Sequence, residues 1–141
     1  MEEYKIYTIG KMSGITTTRA LKWRKQVEQS LMIRSGKPLN FIHPPEFFNF
    51  DMDKDSYEED EIFNFEMRQL KDTDICIVNL NFYNSTGSNI EMHQAHINDI
   101  PIIALWDKDT YHQHPWVEIM VDKSFNTIDE LTDYINYYYL F

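Results

Sequence analysis

The segment 75–95 has the order of a strand, a glycine-containing turn and a helix. Ile75-Cys-Ile-Val-Asn-Leu80 is a short, largely apolar run, which is typical of a buried strand. Ser85-Thr-Gly-Ser88 favours a turn, and the residues after it favour a helix. Alternating strands and helices form open α/β sheets, which bind ligands at the carboxyl ends of their strands. Because Glu91 comes just after the turn, the segment predicts a carboxylate at the mouth of an α/β sheet.

The rest of the chain continues this alternation. We predict three further strands, over Lys5–Gly10, Leu39–His43 and Ile102–Trp106. Helical spacing predicts four helices. The first is capped by Thr17 or Thr18 and ends near Ile33, and the second runs from 58–61 to about Thr73. The third spans roughly Ser88–Asn98, and a closing helix contains Ile128, Leu131, Ile135 and Tyr138. Residues 107–115 are polar and predict a loop. The pattern predicts one α/β domain over 1–141: a Rossmann-like or flavodoxin-like sheet of about five mostly parallel strands, with helices on both faces.

Composition and charge narrow the class of protein. Of 141 residues, 43% are hydrophobic and 15% aromatic, which suffices for a sizeable core. No apolar run approaches the roughly 18 residues of a membrane helix, and the acidic start of the chain does not resemble a signal peptide. The single cysteine, Cys76, predicts a core position and a reducing, cytoplasmic location. A net charge of −10 disfavours a nucleic acid polymer as partner, although a single nucleotide needs only local donors.

Glu66 lies on the inward stripe of the second predicted helix. Ile62, Glu66 and Leu70 are spaced four residues apart, so the three side chains share one face. A glutamate on an apolar stripe is costly unless it is paired or used in chemistry. The alternative is a side chain that extends to water at the edge of the stripe.

Glu91 has two interpretations from its own surroundings. Ser85, Gly87 and neighbouring hydroxyls precede a helix whose free N–H groups favour an anion, and the helix dipole would hold Glu91 ionised in the first turn, as a nucleophile requires. Alternatively, Ser88 and Glu91 have the S-x-x-E spacing of a capping box, in which Glu91 only stabilises the helix.

Two features of the first predicted strand point to the same place. The hydroxyl of Tyr7 can reach Glu91 if strands one and three are adjacent, whereas the alternative is a packing role. Gly10 and Gly14 frame a loop, with Met12 and Ser13 between them, in which a ligand can approach the backbone closely. The alternative is an ordinary tight turn.

Neither the histidines nor the acidic segments predict a metal site. His93 and His96, like His112 and His114, lack a carboxylate at convincing ligand spacing. Asp51, Asp53 and Asp55 imitate the start of a calcium-binding EF-hand loop, but the required glycine and final glutamate are missing. No metal is therefore expected. His114-Pro115-Trp116 forms a rigid aromatic segment that can cover a ligand.

Together these segments resemble the nucleoside 2-deoxyribosyltransferase family, including the related 2′-deoxynucleoside 5′-monophosphate N-glycosidases. The resemblance spans nearly the whole chain. It is carried by the following segments: Lys5-Ile-Tyr-Thr-Ile-Gly-Lys-Met-Ser-Gly14, Trp23-Arg24, Thr73-Asp-Ile-Cys-Ile-Val78, and Ser85-Thr-Gly-Ser-Asn-Ile-Glu91 with Ala95.

The resemblance implies roles for particular residues. Glu91 falls at the nucleophilic glutamate, Tyr7 at the tyrosine that orients it, and Glu66 at an aspartate that interacts with the departing base. Ser85 matches a serine that contacts the 5′-phosphate in the monophosphate glycosidases. The substrate-binding set that it implies is Gly10, Met12, Ser13, Gly14, Ser85, Gly87, His114 and Trp116. Because family members share active sites within a homo-oligomer, His114, Trp116 or the tail Tyr137–Phe141 are expected to act in a neighbouring subunit.

The implied reaction is cleavage or transfer of the N-glycosidic bond of a 2′-deoxynucleoside or its 5′-monophosphate. It proceeds through a covalent deoxyribosyl-glutamate and requires no organic cofactor, with a free nucleobase as partner and no membrane involved. A second base completes a transfer, and water completes a hydrolysis. Two alternatives remain: a non-catalytic nucleotide-binding protein on the same scaffold, motivated by Glu66 and by Met92-His93, and an unrelated flavodoxin-like domain that binds a protein partner.

Overall fold

The computed structural model describes residues 2–47, 58–83 and 85–141. The EF-hand comparison at Asp51, Asp53 and Asp55 concerns residues outside this part of the chain. The described residues form one five-stranded sheet, flanked by helices.

All the strand pairings of the sheet are parallel. Its strands are β1 (Tyr4–Ile9), β2 (Leu39–Ile42), β3 (Ile75–Asn79), β4 (Ile102–Leu105) and β5 (Lys123–Phe125). The spatial order is β2-β1-β3-β4-β5, which is the order of the flavodoxin-like class. The predicted fold class is therefore confirmed, and strands one and three are neighbours, with Tyr7 opposite Cys76.

In the described part of the chain, four α-helices connect the strands and a fifth follows β5, with a short 3₁₀ turn at Pro44–Glu46. The helices are α1 (Thr17–Arg34), α2 (Glu59–Lys71), α3 (Thr86–Ile97), α4 (Pro115–Met120) and α5 (Ile128–Tyr139). Two predicted starts are wrong by one or two residues. Thr16, and not Thr17 or Thr18, caps α1 by accepting a hydrogen bond from the Arg19 N–H. Ser85 caps α3, which therefore begins before Ser88.

The two faces of the sheet are covered by different helices. On one face α1 packs against α5, and on the other α3 packs between α2 and α4. Successive residues of β3 enter opposite cores, with Cys76 and Val78 in the core under α2, α3 and α4, and Ile75 and Ile77 in the core under α1 and α5. A strand that is buried on both faces has a continuous apolar sequence, which is why β3 could be predicted from the sequence.

The segment after β4 contains two elements that the sequence pattern does not predict. Residues 107–114 are irregular, as predicted, but α4 and β5 follow. The sequence of β5 is only Lys-Ser-Phe, and it is held by backbone pairing with β4, where Ile103 lies opposite Lys123. None of the helices in the described part of the chain combines the length and the hydropathy that crossing a bilayer requires.

Candidate active site

A pocket of about 360 Å³ opens at the carboxyl ends of β1 and β3. In a flavodoxin-like sheet this is the switch point, where connections leave towards opposite faces and a crevice forms. Its volume falls within the usual range for small-molecule sites. The lining residues come from the loop after β1, from α2 and from the start of α3: Gly10, Lys11, Met12, Ser13, Glu59, Ile62, Phe63, Glu66, Ser85, Thr86, Gly87, Ser88 and Glu91.

Tyr7 contacts Glu91 from beneath the pocket: Glu91 lines the cavity, whereas Tyr7 is fully buried and does not. The Tyr7 hydroxyl donates a hydrogen bond to Oε2 of Glu91, and both side chains are buried. Tyr7 belongs to the core under α3, because its side chain lies on that face of β1. Burial, followed by the charges of Glu91 and Glu66, raises the pKa of Tyr7 well above 10, so the phenol stays protonated and acts as a donor.

The surroundings of Glu91 correct two expectations from the sequence. The capping-box interpretation is wrong, since Ser85 is the N-cap and its Oγ accepts a hydrogen bond from the N–H of Ser88 at 3.4 Å. Glu91 lies in the second turn of α3, beyond the strongest part of the helix dipole. Burial, together with the negative charge of Glu66, raises the pKa of Glu91 to about 8, although Tyr7 and Arg24 oppose the shift. Desolvation therefore outweighs the dipole that we expected to hold Glu91 ionised.

Glu66 faces the same pocket from α2. Its neighbours on the helical stripe, Ile62 and Leu70, are buried, whereas Glu66 is half-buried and lines the cavity. Burial raises the pKa of Glu66 to about 7, against the attraction of Arg24. Two carboxyl groups that interact in this way titrate as a pair, so near neutral pH they hold one proton between them.

Arg24 is a buried residue of the site region to which we assigned no role from the sequence. Its guanidinium donates to Thr8 Oγ1, to the Ala20 carbonyl and to the Gly10 carbonyl. The signal was present in the spacing, because Arg24 lies four residues after Ala20 on the buried face of α1.

The loop after β1 contributes some of its predicted residues to the pocket. Gly10, Met12 and Ser13 line it, whereas Gly14 adopts a φ of +78° at the turn beyond and does not. A Cβ on Gly10 would lie 2.6 Å from Cζ2 of Trp23, so packing against α1 already requires a glycine there. Lys11, which also lines the pocket, donates from Nζ to the carbonyl of Tyr83 at 2.9 Å.

The remaining predicted residues divide between the pocket and a distant surface. Ser85 and Gly87 line the pocket at the start of α3. His114 and Trp116 do not line it: His114 caps α4, accepting from the Trp116 N–H at 3.1 Å, and Trp116 is 75% exposed. A role for them in a neighbouring subunit stays a prediction.

Met92 and His93, which motivated the non-catalytic alternative, lie outside the pocket. Met92 is fully buried in the core under α3, and His93 is exposed. Neither lines the cavity, so neither crowds it. Within residues 2–47, 58–83 and 85–141 no three His, Cys, Asp or Glu side chains form a group that can hold a metal ion.

Comparison with known proteins identifies similar folds. No family model and no curated protein matches the chain. A 2-deoxyribosyltransferase from Bacillus psychrosaccharolyticus is similar in structure, with a TM-score of 0.70, 19% identity, and coverage of 92% of this chain and 91% of that one. A conserved protein from Enterococcus faecalis V583 has a TM-score of 0.73 and 13% identity, over 96% and 99% of the two chains.

A third similar structure is the CMP N-glycosidase of Clostridium botulinum. Its TM-score is 0.58 and its identity 13%, over 95% of this chain and 99% of that one. At such identities the likeness shows a shared fold. Two of the three structures are a deoxyribosyltransferase and an N-glycosidase, the two kinds of enzyme that the sequence resembles.

Proposed function

We propose that this chain is a member of the nucleoside 2-deoxyribosyltransferase family. In this proposal it cleaves or transfers the N-glycosidic bond of a 2′-deoxynucleoside or its 5′-monophosphate. The observation that carries the proposal is the hydrogen bond from Tyr7 to Glu91, in a pocket that also contains Glu66. The shared fold and the sequence resemblance support it independently.

The first chemical step uses the two carboxyl groups in different protonation states. A Glu91 carboxylate oxygen attacks C1′, the C1′–N bond breaks, and its electron pair leaves with the base. Glu66 donates a proton to the departing base, and a deoxyribosyl ester of Glu91 remains. Near neutral pH the pair holds one proton, so one group is ionised and the other protonated. Because the pKa of Glu91 is the higher of the two, this proton lies mainly on Glu91 in the free protein, and the step uses the form in which the proton has moved to Glu66.

The second step releases the enzyme. The Glu66 carboxylate accepts a proton from an incoming base, whose nitrogen attacks C1′ and displaces Glu91; the product is a new nucleoside. If water attacks instead, the products are deoxyribose, or its 5-phosphate, and free enzyme. The hydrolytic form is the second candidate function. Ser85 lines the pocket at the N-terminus of α3, where N–H groups favour a phosphate. Such a site suits a 5′-monophosphate, the substrate of the N-glycosidases that the sequence resembles.

The other pocket walls suit the remaining parts of such a substrate. Met12, Ile62 and Phe63 provide apolar surface for a nucleobase. Phe63 is 48% exposed and so is available for contact with a ligand. We propose further that the active form is a homo-oligomer in which Trp116 of one copy covers the pocket of another.

A mass-spectrometric screen tests the function directly. Deoxynucleosides and deoxynucleoside monophosphates are incubated with the protein, with and without a second base, and the small molecules and the intact protein are both measured. We expect free base from at least one substrate and a deoxyribosyl adduct on Glu91. A base-swapped product assigns a transferase, and deoxyribose or its phosphate assigns a hydrolase.

Two variants provide the matched comparison. Glu91→Ala is expected to abolish both turnover and the adduct, whereas Glu61→Gln, an exposed carboxylate on α2 outside the pocket, retains both. Unchanged base release in Glu91→Ala would exclude Glu91 as the nucleophile. Nucleotide binding in calorimetry without any turnover would favour the non-catalytic alternative instead.

A further inference from the structure

Arg24 carries a buried positive charge that has no direct ionic partner among the described residues. Its side chain is fully buried, and its nitrogens donate to neutral oxygens: Thr8 Oγ1 at 3.1 Å, the Ala20 carbonyl at 2.6 Å and the Gly10 carbonyl at 3.1 Å. None of the ion pairs found among residues 2–47, 58–83 and 85–141 includes Arg24. A buried guanidinium is unfavourable unless its charge is balanced from nearby.

The balancing charges come from the candidate active site. Burial lowers the pKa of Arg24 to about 10, while Glu91, Tyr7 and Glu66 act in the opposite direction. The guanidinium therefore remains charged at neutral pH. The attraction is reciprocal, because Arg24 lowers the pKa of both Glu66 and Glu91.

Arg24 also holds the loop that forms one wall of the pocket. Its hydrogen bond to the Gly10 carbonyl fixes the first residue of the segment Gly10–Ser13, which lines the cavity. The Trp23 ring lies 4.7 Å from the guanidinium and against Gly10, so the side chain is confined between α1 and the loop.

We propose that Arg24 is a positioning residue of the candidate active site. It fixes the Gly10–Ser13 wall of the pocket, and it supplies the cation that keeps one of the carboxylates of Glu66 and Glu91 ionised. This inference rests on the proposed function for its catalytic consequence, but its electrostatic part concerns the protein alone.

The other titratable groups near Arg24 have a pKa that is shifted away from the range in which Glu66 and Glu91 titrate. Tyr7 on β1 and Cys76 on β3 both have a pKa raised well above the ordinary value, chiefly by burial. On the β2 side, His43 Nδ1 lies 2.8 Å from Thr8 Oγ1, and its Nε2 lies 3.2 Å from Glu28 Oε1. Burial lowers the pKa of His43, despite the opposing effect of Glu28. The groups near Arg24 whose pKa lies close to neutrality are therefore Glu66, at about 7, and Glu91, at about 8.

Carboxyl ¹³C NMR on glutamate-labelled protein without substrate provides the test. In Arg24→Met, the titrations of Glu66 and Glu91 are expected to move to higher pH by about one unit or more, since an attractive charge has been removed. Arg24→Lys keeps a charge and is expected to titrate close to wild type. Arg34→Met is the matched control: Arg34 lies on α1 and pairs with Asp129 and Asp133 of α5, away from the pocket.

The pH profile of base release completes the comparison. The acidic limb of kcat is expected to shift upwards in Arg24→Met by the same amount as the NMR titration. Arg24→Lys is expected to raise KM several-fold, because a lysine does not reproduce the hydrogen bonds to Gly10 and Thr8. The acidic limb of its kcat profile is expected to stay close to that of wild type, because the positive charge is kept.

The outcomes separate this inference from the proposed function. Coincident NMR titrations in Arg24→Met and wild type overturn the electrostatic role, whether or not the protein turns over a nucleotide. Shifted titrations without any base release support the role and count against the proposed function. If Arg24→Met does not fold by circular dichroism, a wild-type KM in folded Arg24→Lys overturns the positioning of the loop.

Discussion

The Tyr7 hydroxyl and the Glu91 carboxylate, 84 positions apart in the chain, form a buried hydrogen bond in which Tyr7 is the donor. The contact exists because β1 and β3 are adjacent in the sheet and α3 returns across the face on which Tyr7 lies. The hydrogen bond lowers the pKa of Glu91, whereas burial and Glu66 raise it. The ionised form that a nucleophile requires thus depends partly on Tyr7.

Replacing Tyr7 by phenylalanine is expected to weaken the nucleophile while preserving the core. Loss of a hydrogen bond to a charged group lowers kcat by about ten- to a hundredfold, and the acidic limb of the pH profile moves to higher pH. Steady-state base release across a pH series measures both effects. Tyr4→Phe, at the other end of β1, is the control for loss of a half-buried hydroxyl. If Tyr7→Phe has the kcat and the acidic limb of the pH profile of the wild-type protein, Tyr7 contributes only to packing.

The paired carboxyl groups predict a bell-shaped pH profile with its maximum between about 7 and 8. Below this range both groups are protonated and no nucleophile is present. Above it both are ionised and no acid is present. In Glu66→Gln the alkaline limb is expected to disappear, and the acidic limb to move to lower pH because the charge that raised the pKa of Glu91 is gone.

A substrate with an activated leaving group provides the control for Glu66. The departure of 4-nitrophenolate from C1′ needs no proton, so 4-nitrophenyl 2-deoxyriboside should lose much less rate in Glu66→Gln than a natural deoxynucleoside does. Equal losses with both substrates would show that Glu66 acts in binding and not as an acid.

The strand and the helices that carry the site could be predicted from the sequence because each has a distinct pattern of apolar residues. β3 is buried on both faces and appears as an apolar run, and α2 places Ile62, Glu66 and Leu70 on one stripe. The approach of Tyr7 to Glu91 was predicted only on the condition that β1 and β3 are neighbours, because short parallel crossovers allow more than one strand order. The observed order β2-β1-β3-β4-β5 meets that condition.

What the sequence did not reveal depends on tertiary context. Ser85 and Ser88 both carry hydroxyl groups before a helix, and only the observed backbone shows which one caps it. The expectation that Glu91 is held ionised did not account for its burial, which raises its pKa and which the local sequence does not indicate. β5 has no apolar pattern of its own and exists through pairing with β4.

Gly10→Ala is expected to destabilise the fold through contact with Trp23. The new Cβ would lie 2.6 Å from Cζ2 of Trp23, a ring that is 7% exposed and cannot move into solvent. Overpacking of this kind costs about 1–3 kcal/mol in the free energy of unfolding. Chemical denaturation measures the loss, and Gly36→Ala, where an added Cβ meets nothing within 4 Å, is the control.

A double-mutant cycle identifies Trp23 as the cause. If the clash is with its indole ring, Gly10→Ala costs less in a Trp23→Phe background than in wild type. Equal costs in the two backgrounds would place the strain elsewhere, for example at Arg24 Nη2, 3.3 Å from the added atom.

The exposed apolar side chains of α4 test the proposed homo-oligomer. Trp116 and Ile119 are 75% and 71% exposed, and apolar groups at such a surface mark an interface when they form a patch. Trp116→Glu is expected to lower the molar mass in light scattering and to lower activity in parallel. Ile33→Glu, on α1 and 83% exposed, is the control and should leave both unchanged. A monomeric wild-type protein with full activity would contradict the proposal.

Glu91 also predicts how stability depends on pH. Its pKa in the folded protein is about 8, against an ordinary value of 4.5, so between these values the folded state holds a proton that the unfolded state has released. The free energy of unfolding that Glu91 contributes is therefore complete below about pH 4.5 and is lost as the pH rises through 8.

Glu91→Gln cannot ionise, and its amide can still accept from Tyr7. We expect the stability of Glu91→Gln relative to wild type to rise by roughly 1–4 kcal/mol between about pH 5 and pH 8.5, in urea unfolding at a series of pH values. Glu61→Gln is measured alongside as the control for loss of an exposed carboxylate on α2. A relative stability of Glu91→Gln that stays constant over this range would mean that Glu91 is ionised in the folded protein.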